Sequence, residues 1–116
     1  MRHLKQGRKF GRESGDRRLF LRTLMHQLVM SNRITTTEAR ARELRRLTER
    51  LITYGKKQNL AGLRELLRRI PRASAERVYR ELAPRYAERH GGYTRIVKHA
   101  ERRVQDGAKK ATIEFV

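Results

Sequence analysis

The chain has 116 residues, of which 30 are Lys or Arg and 12 are Asp or Glu, a formal charge of +18. Self-repulsion of that size disfavours a compact free state and calls for a polyanionic partner, nucleic acid ahead of an anionic membrane surface. The absence of cysteine excludes disulfides and thiolate metal sites, and no apolar run approaches the roughly 20 residues of a membrane span.

Arg outnumbers Lys 23 to 7. A guanidinium pairs bidentately with phosphate and stacks on bases, so the bias favours structured contact over simple solubility. The cationic excess runs through both halves of the chain, as expected for a protein touched on several sides.

Residues 1–16 read as a basic, extended N-terminal arm. The stretch MRHLKQGRKFGRESGDRR carries seven basic residues against two acids, with glycines at 7, 11 and 15 and little apolar content. The glycines do not form a nucleotide loop. A P-loop needs Gly-Lys-Ser/Thr between a buried strand and a helix, whereas Gly7 and Gly11 are followed by Arg8 and Arg12 with no strand before them. Backbone freedom, or close approach of the backbone to phosphates, explains them better.

Residues 17–116 read as one globular α/β domain. Asp16 is a plausible N-cap for a first helix over 17–30, with Leu21, Leu24, Met25 and Leu28 at helical spacing. Arg33 to Thr36 reads as a short extended piece. Thr35-Thr36-Thr37-Glu38 fits a capping box opening a long helix to about Lys57, with Leu44, Leu47, Leu51 and Tyr54 on one stripe. Asn59 caps a third helix that Pro71 closes. Ser74 caps a fourth, kinked or restarted at Pro84 and ended by Gly91-Gly92. Residues 93–98 and 111–116 are β-prone and flank Asp106-Gly107, a hairpin whose loop exceeds a tight two-residue turn. The fold class is α+β in two layers, with helices on one face of a small, mostly antiparallel sheet.

Candidate chemistry is phosphate binding. Arg2, His3, Lys5, Arg8, Lys9, Arg12, Arg17 and Arg18 in and beside the arm are expected to meet RNA. Arg42, Arg45 and Arg46 join them, because residues 39–50 hold five arginines against Glu43 and Glu49. Arg95, in the mixed Gly91-Gly92-Tyr93-Thr94-Arg95-Ile96 segment, completes the set, while Tyr93 is read as core. No two-His pair, acid dyad or Ser-base arrangement asks for catalysis or a metal, so the site has no catalytic, metal or cofactor-binding residue. His26 reads as a helix-surface or packing residue, and acids such as Glu38 and Glu76 as helix partners of Arg42 and Arg80.

Several segments resemble one family in order along the chain: Met1-Arg2-His3 through Gly7-Arg8-Lys9, Arg33-Ile34-Thr35-Thr36-Thr37, Ala83-Pro84-Arg85-Tyr86, Gly91-Gly92-Tyr93-Thr94-Arg95-Ile96, and the ending Ile113-Glu114-Phe115-Val116. The family is number seventeen of the bacterial large-subunit ribosomal proteins. One departure lies at Gln105-Asp106-Gly107-Ala108, where the family usually shows a Gly-Asp pair. The resemblance implies a non-enzymatic structural constituent of the large subunit in the cytoplasm, on its solvent side near the peptide exit. Its implied partners are large-subunit ribosomal RNA and neighbouring large-subunit ribosomal proteins, with no membrane, no cofactor and no stand-alone homo-oligomer. A free DNA-binding protein would instead need a recognition helix or a dimer with spaced half-sites, and neither is legible.

Overall fold

A computed structural model describes residues 7–116; Arg2, His3 and Lys5 lie outside them. Helix α1 spans Ser14–Ser31, strand β1 Arg33–Thr37, helix α2 Glu38–Lys56 and helix α3 Leu60–Arg69. A short α4, Arg72–Arg77, continues through a π-helical turn, Val78–Leu82, into α5, Ala83–Arg85. Strands β2, Thr94–Arg102, and β3, Lys109–Phe115, complete the chain.

The three strands form an antiparallel sheet in the order β1-β3-β2. Ile34, Ile113 and Ile96 are in register across it and pack with the helical core. β2 pairs regularly from Thr94 to Lys98, opposite Phe115 to Ala111, and then slips so that Arg102 faces Lys109. Residues 99–101 are thus set against one residue of β3. A bulge of this kind bends and twists a ribbon, and beyond it the hairpin is exposed throughout residues 99–107.

α2 is the central helix. Its buried residues Ala41, Leu44, Thr48, Leu51, Ile52 and Gly55 recur at intervals of three and four, the spacing that puts side chains on one helix face. Two glycines allow its tightest contacts. A Cβ on Gly55 would stand 2.8 Å from Ala83 Cβ, and one on Gly62 would stand 2.5 Å from the Tyr54 carbonyl oxygen. The core is closed by Leu28 and Val29 of α1, Leu66 and Ile70 around α3, Val78 and Leu82, and Ile113 of β3.

Local chemistry moves several expected boundaries. α1 begins at Ser14 with Glu13 at the cap position. Asp16 is therefore a first-turn acid favoured by the helix dipole, not the cap, and residues 14–16 belong to the helix. At α2 the capping box does not form. Thr37 is the cap, and its Oγ1 accepts the Arg40 amide at 3.3 Å, which leaves Glu38 as the first helical residue and free for ion pairing. Asn59 caps α3 as expected, its Oδ1 accepting from the Gly62 amide at 2.8 Å.

Ser74 does not cap. It is buried inside α4, which starts directly after Pro71, and its hydroxyl donates to the Pro71 carbonyl at 3.0 Å. With that proton committed, Ser74 Oγ accepts from His26 Nδ1 at 2.9 Å, so His26 ties α1 to α4. Pro84 falls in the first turn of α5, the restarted position expected for it. The wider π turn before it, with the Ala83 amide reaching the Val78 carbonyl, makes room for a residue that has no N–H and a bulky ring.

The helical run ends by Tyr86, before Gly91-Gly92. The loop that follows is held by side chains. Lys56 Nζ donates to the Arg89 carbonyl at 2.5 Å and to Tyr93 Oη at 3.0 Å, while Tyr93 Oη donates to the same carbonyl at 3.2 Å. Tyr93 is core, as expected, and packs with its ring tilted against that of Tyr86, centroids 5.3 Å apart; the Tyr86 hydroxyl donates to the Val116 carbonyl at 2.7 Å.

Candidate nucleic-acid interface

Residues 7–13 lie against the helices. The Arg12 amide bonds the Lys9 carbonyl at 3.2 Å, closing a turn over residues 9–12 in which Phe10 takes φ +55°. That turn points the Phe10 ring at Phe20 of α1, edge to face at 5.5 Å. Two guanidiniums also lie over the Phe20 ring, Arg12 at 4.0 Å and Arg40 of α2 at 4.9 Å. The negative face of the ring offsets the repulsion between those cations. Further back, the Cβ position of Gly7 is 3.1 Å from Glu43 Oε1 and 3.6 Å from Arg46 Nη2, so the arm passes over α2 at these residues.

This docking brings the arm and α2 arginines into one region but leaves them electrostatically unlike. Arg8, Lys9, Arg12, Arg17 and Arg18 make no ion pair among the described residues, and all but the half-buried Arg17 are exposed. On α2 each predicted arginine has an acid. Arg42 meets Glu38 at 2.5 Å, Arg45 meets Glu49 at 3.7 Å and Arg46 meets Glu43 at 2.8 Å. In each pair the arginine is about half exposed and the acid largely covered, which leaves the outer edge of the guanidinium open to a phosphate.

Glu49 has a second task. Its Oε2 accepts from both the amide and the hydroxyl of buried Thr94, at 3.3 and 3.1 Å, and so pins the start of β2 to α2. Arg95 stands apart from the rest. It pairs with Glu114 of β3 at 2.6 Å, with Arg33 of β1 on the far side of the same carboxylate at 4.0 Å.

Sequence reasoning passed over a second basic group. Lys98, Arg102 and Lys109 of the hairpin line a cleft with Arg42 at the start of α2. The one acid there is Glu38, which Arg42 and Lys98 share, the latter at 3.7 Å. The signal was present in the density of cations on both sides of the hairpin loop. Only the bulged strand shows that they face α2. At the tip, Arg103 and Asp106 form a two-pronged ion pair, and Asp106 Oδ1 also accepts the Ala108 amide at 3.1 Å. These bonds hold the Asp106 carboxyl below the ordinary carboxylate range, the Arg103 hydrogen bond contributing most.

Among the described residues no cluster of His or acidic side chains could hold a metal ion, and no helix is long and apolar enough to cross a membrane. The family model described as ribosomal protein L17 matches residues 20–116. The chain belongs to the L17 family of ribosomal proteins. L17 proteins are a structural family and not enzymes.

Among L17 relatives, the large ribosomal subunit protein bL17 of Caldanaerobacter subterraneus is 48% identical over 110 residues, covering 94% of this chain and 97% of that protein. Its counterpart in Thermodesulfovibrio yellowstonii is 42% identical over 117 residues, covering 100% and 87%. That of Staphylococcus aureus strain JH9 is 45% identical over 120 residues, covering 94% and 98%.

Proposed function

We propose that this L17 protein is a structural constituent of the large ribosomal subunit that binds ribosomal RNA through Arg and Lys contacts to phosphate and so stabilises RNA folding during assembly. The observation that carries the reading is a set of basic residues without ion pairs among the described residues: Arg8, Lys9 and Arg12 in and beside the turn that Phe10 docks on Phe20, and Arg17 and Arg18 in the first turns of α1. Cations on a docked turn and on a helix are presented to a phosphate backbone without the entropic cost of ordering the whole arm.

In this reading the arm of residues 1–16 and the body of residues 17–116 act as one surface. His3 and the basic residues Arg2 and Lys5 extend it, while Arg42, Arg45, Arg46 and Arg95 turn the open edges of their guanidiniums to RNA. Contacts of this kind follow the shape and backbone of RNA and read few bases. The neighbours are large-subunit ribosomal RNA and adjoining ribosomal proteins, in the cytoplasmic ribosome. Chemical footprinting of large-subunit RNA with and without the purified protein tests it. Backbone protections that disappear in the variant with Arg8, Lys9, Arg12, Arg17 and Arg18 all changed to Gln are expected. Identical patterns with and without wild-type protein would overturn it.

A further inference from the structure

The chain has a mean hydropathy of −0.87, yet one depression on its surface is lined mainly by carbon. It lies where α1, α2 and α3 meet and has a volume of about 540 Å³, within the roughly 300–1,000 Å³ of ligand pockets. Leu21 and Met25 of α1 and Leu47 of α2 form its floor. Leu19 stands at its lip, 63% exposed. Exposed leucines are ordinary singly, but a contiguous apolar patch with a polar rim marks an interaction site.

The rim is cationic. Arg22, Arg50, Arg68 and Arg69 surround the floor, and the neighbouring acid is Glu65, already engaged by Arg68 and Arg69. Arg50 makes no ion pair among the described residues, and Arg22 donates only to the Arg68 carbonyl, at 3.4 Å. Arg18, at the edge of the groove, is where this surface meets the phosphate-binding cluster.

We propose that this groove is a docking site for an acidic, amphipathic peptide segment of another protein, whose leucine-like side chains fill the floor while its carboxylates meet the arginine rim. Charge complementarity selects an anionic occupant. The floor then selects a peptide over a nucleotide, because it is aliphatic, with no aromatic ring to stack a base. It also offers the polar edge of a base no partner, and burying such an edge unpaired is costly. An amphipathic helix laid into a groove satisfies both requirements, with apolar anchors at i, i+3 and i+4. The inference does not rest on the RNA-binding reading: the two share Arg18 at the groove's edge, but the floor, the rest of the rim and the ligand differ.

The test uses the full chain labelled with ¹³C at its methionine methyl groups. Met25 reports the groove, and exposed Met30, outside it, serves as the internal control. The first probe is a synthetic 12-residue peptide with leucines on one helical face and glutamates elsewhere. The second is the same composition shuffled to remove the apolar face, and the third is a 12-nucleotide oligouridylate.

The amphipathic peptide is expected to shift the Met25 methyl and not that of Met30, with at least tenfold tighter binding than the shuffled peptide. Leu19→Ser, at an exposed position, should weaken the first peptide severalfold and leave the shuffled one unchanged. Equal binding of the two peptides, or Met25 shifts produced by the oligouridylate at lower concentration than by the peptide, would overturn the proposal.

Discussion

Replacing Phe10 with Ala should release the arm without unfolding the protein. Phe10 sits in the left-handed region at φ +55°, and Ala meets the same backbone strain there, so the change isolates the ring. What is lost is the edge-to-face contact with Phe20 at 5.5 Å, worth about 0.5–1.5 kcal/mol beyond its area. Arg12 retains its own contact over the Phe20 ring at 4.0 Å, which contributes about 0.5–1 kcal/mol at an exposed position. The docked turn should therefore lose about 1 kcal/mol relative to the open arm, a change of about fivefold in the open population.

Trypsin reads that population directly, because Arg8, Lys9 and Arg12 are its targets and cleavage follows the open fraction when closing is fast. Mass spectrometry of timed digests should show cleavage at these three sites rising about fivefold in Phe10→Ala. The thermal midpoint should move little, since Phe10 lies outside the core cluster. Equal cleavage rates in both proteins would refute the docked arm.

Gly55→Ala and Gly62→Ala place a methyl 2.8 Å from Ala83 Cβ and 2.5 Å from the Tyr54 carbonyl oxygen, respectively. Overpacking costs about 1–3 kcal/mol, so calorimetry should show each midpoint falling by several degrees, and an unchanged midpoint would contradict the close helix approach. Glu49→Leu leaves the buried Thr94 amide and hydroxyl without their carboxylate, at a cost of about 1–3 kcal/mol; urea unfolding should show it, and a neutral result would mean that Glu49 does not hold β2.

The depressed Asp106 carboxyl stabilises the hairpin tip in full at pH above its unfolded value, and the effect is lost progressively as pH falls from there through the lower folded value. An NMR titration of its side-chain carbon should place the midpoint below that of a free Asp, about 3.9. A midpoint at the free value would show that Arg103 does not hold it.

Much of the fold is legible because it rests on periodic burial. The stripes on α1 and α2, the Asn59 cap and the long hairpin loop depend on neighbours within a few residues. The capping box failed for a local reason that the pattern alone could not decide. Three consecutive threonines offer three possible caps, and it is the last of them, Thr37 at the end of β1, whose hydroxyl accepts the Arg40 amide.

Ser74 misled because an N-cap residue and a helical serine bonded to the carbonyl three residues back look alike in sequence. Glu76 likewise found Arg72, at 3.2 Å, where Arg80 was expected. The candidate site was legible as a list of cations and not as a set of environments. The Glu38–Arg42 pair was legible from its i to i+4 spacing, but that Lys98 shares the same carboxylate was not. The docking of Phe10 on Phe20, and the meeting of Arg42 with the hairpin, join residues separated by an element or more, where spacing carries no information.

The central claim is that the cations of the arm and of the start of α1 meet RNA phosphates, and the salt dependence of binding tests it most directly. Affinity of the purified protein for large-subunit ribosomal RNA should fall linearly on logarithmic axes as salt rises. Each phosphate contact contributes about 0.7–0.9 to the slope. With Arg8, Lys9, Arg12, Arg17 and Arg18 all changed to Gln, the slope should become shallower by about four. Parallel lines for the two proteins, whatever their separation, would contradict the account.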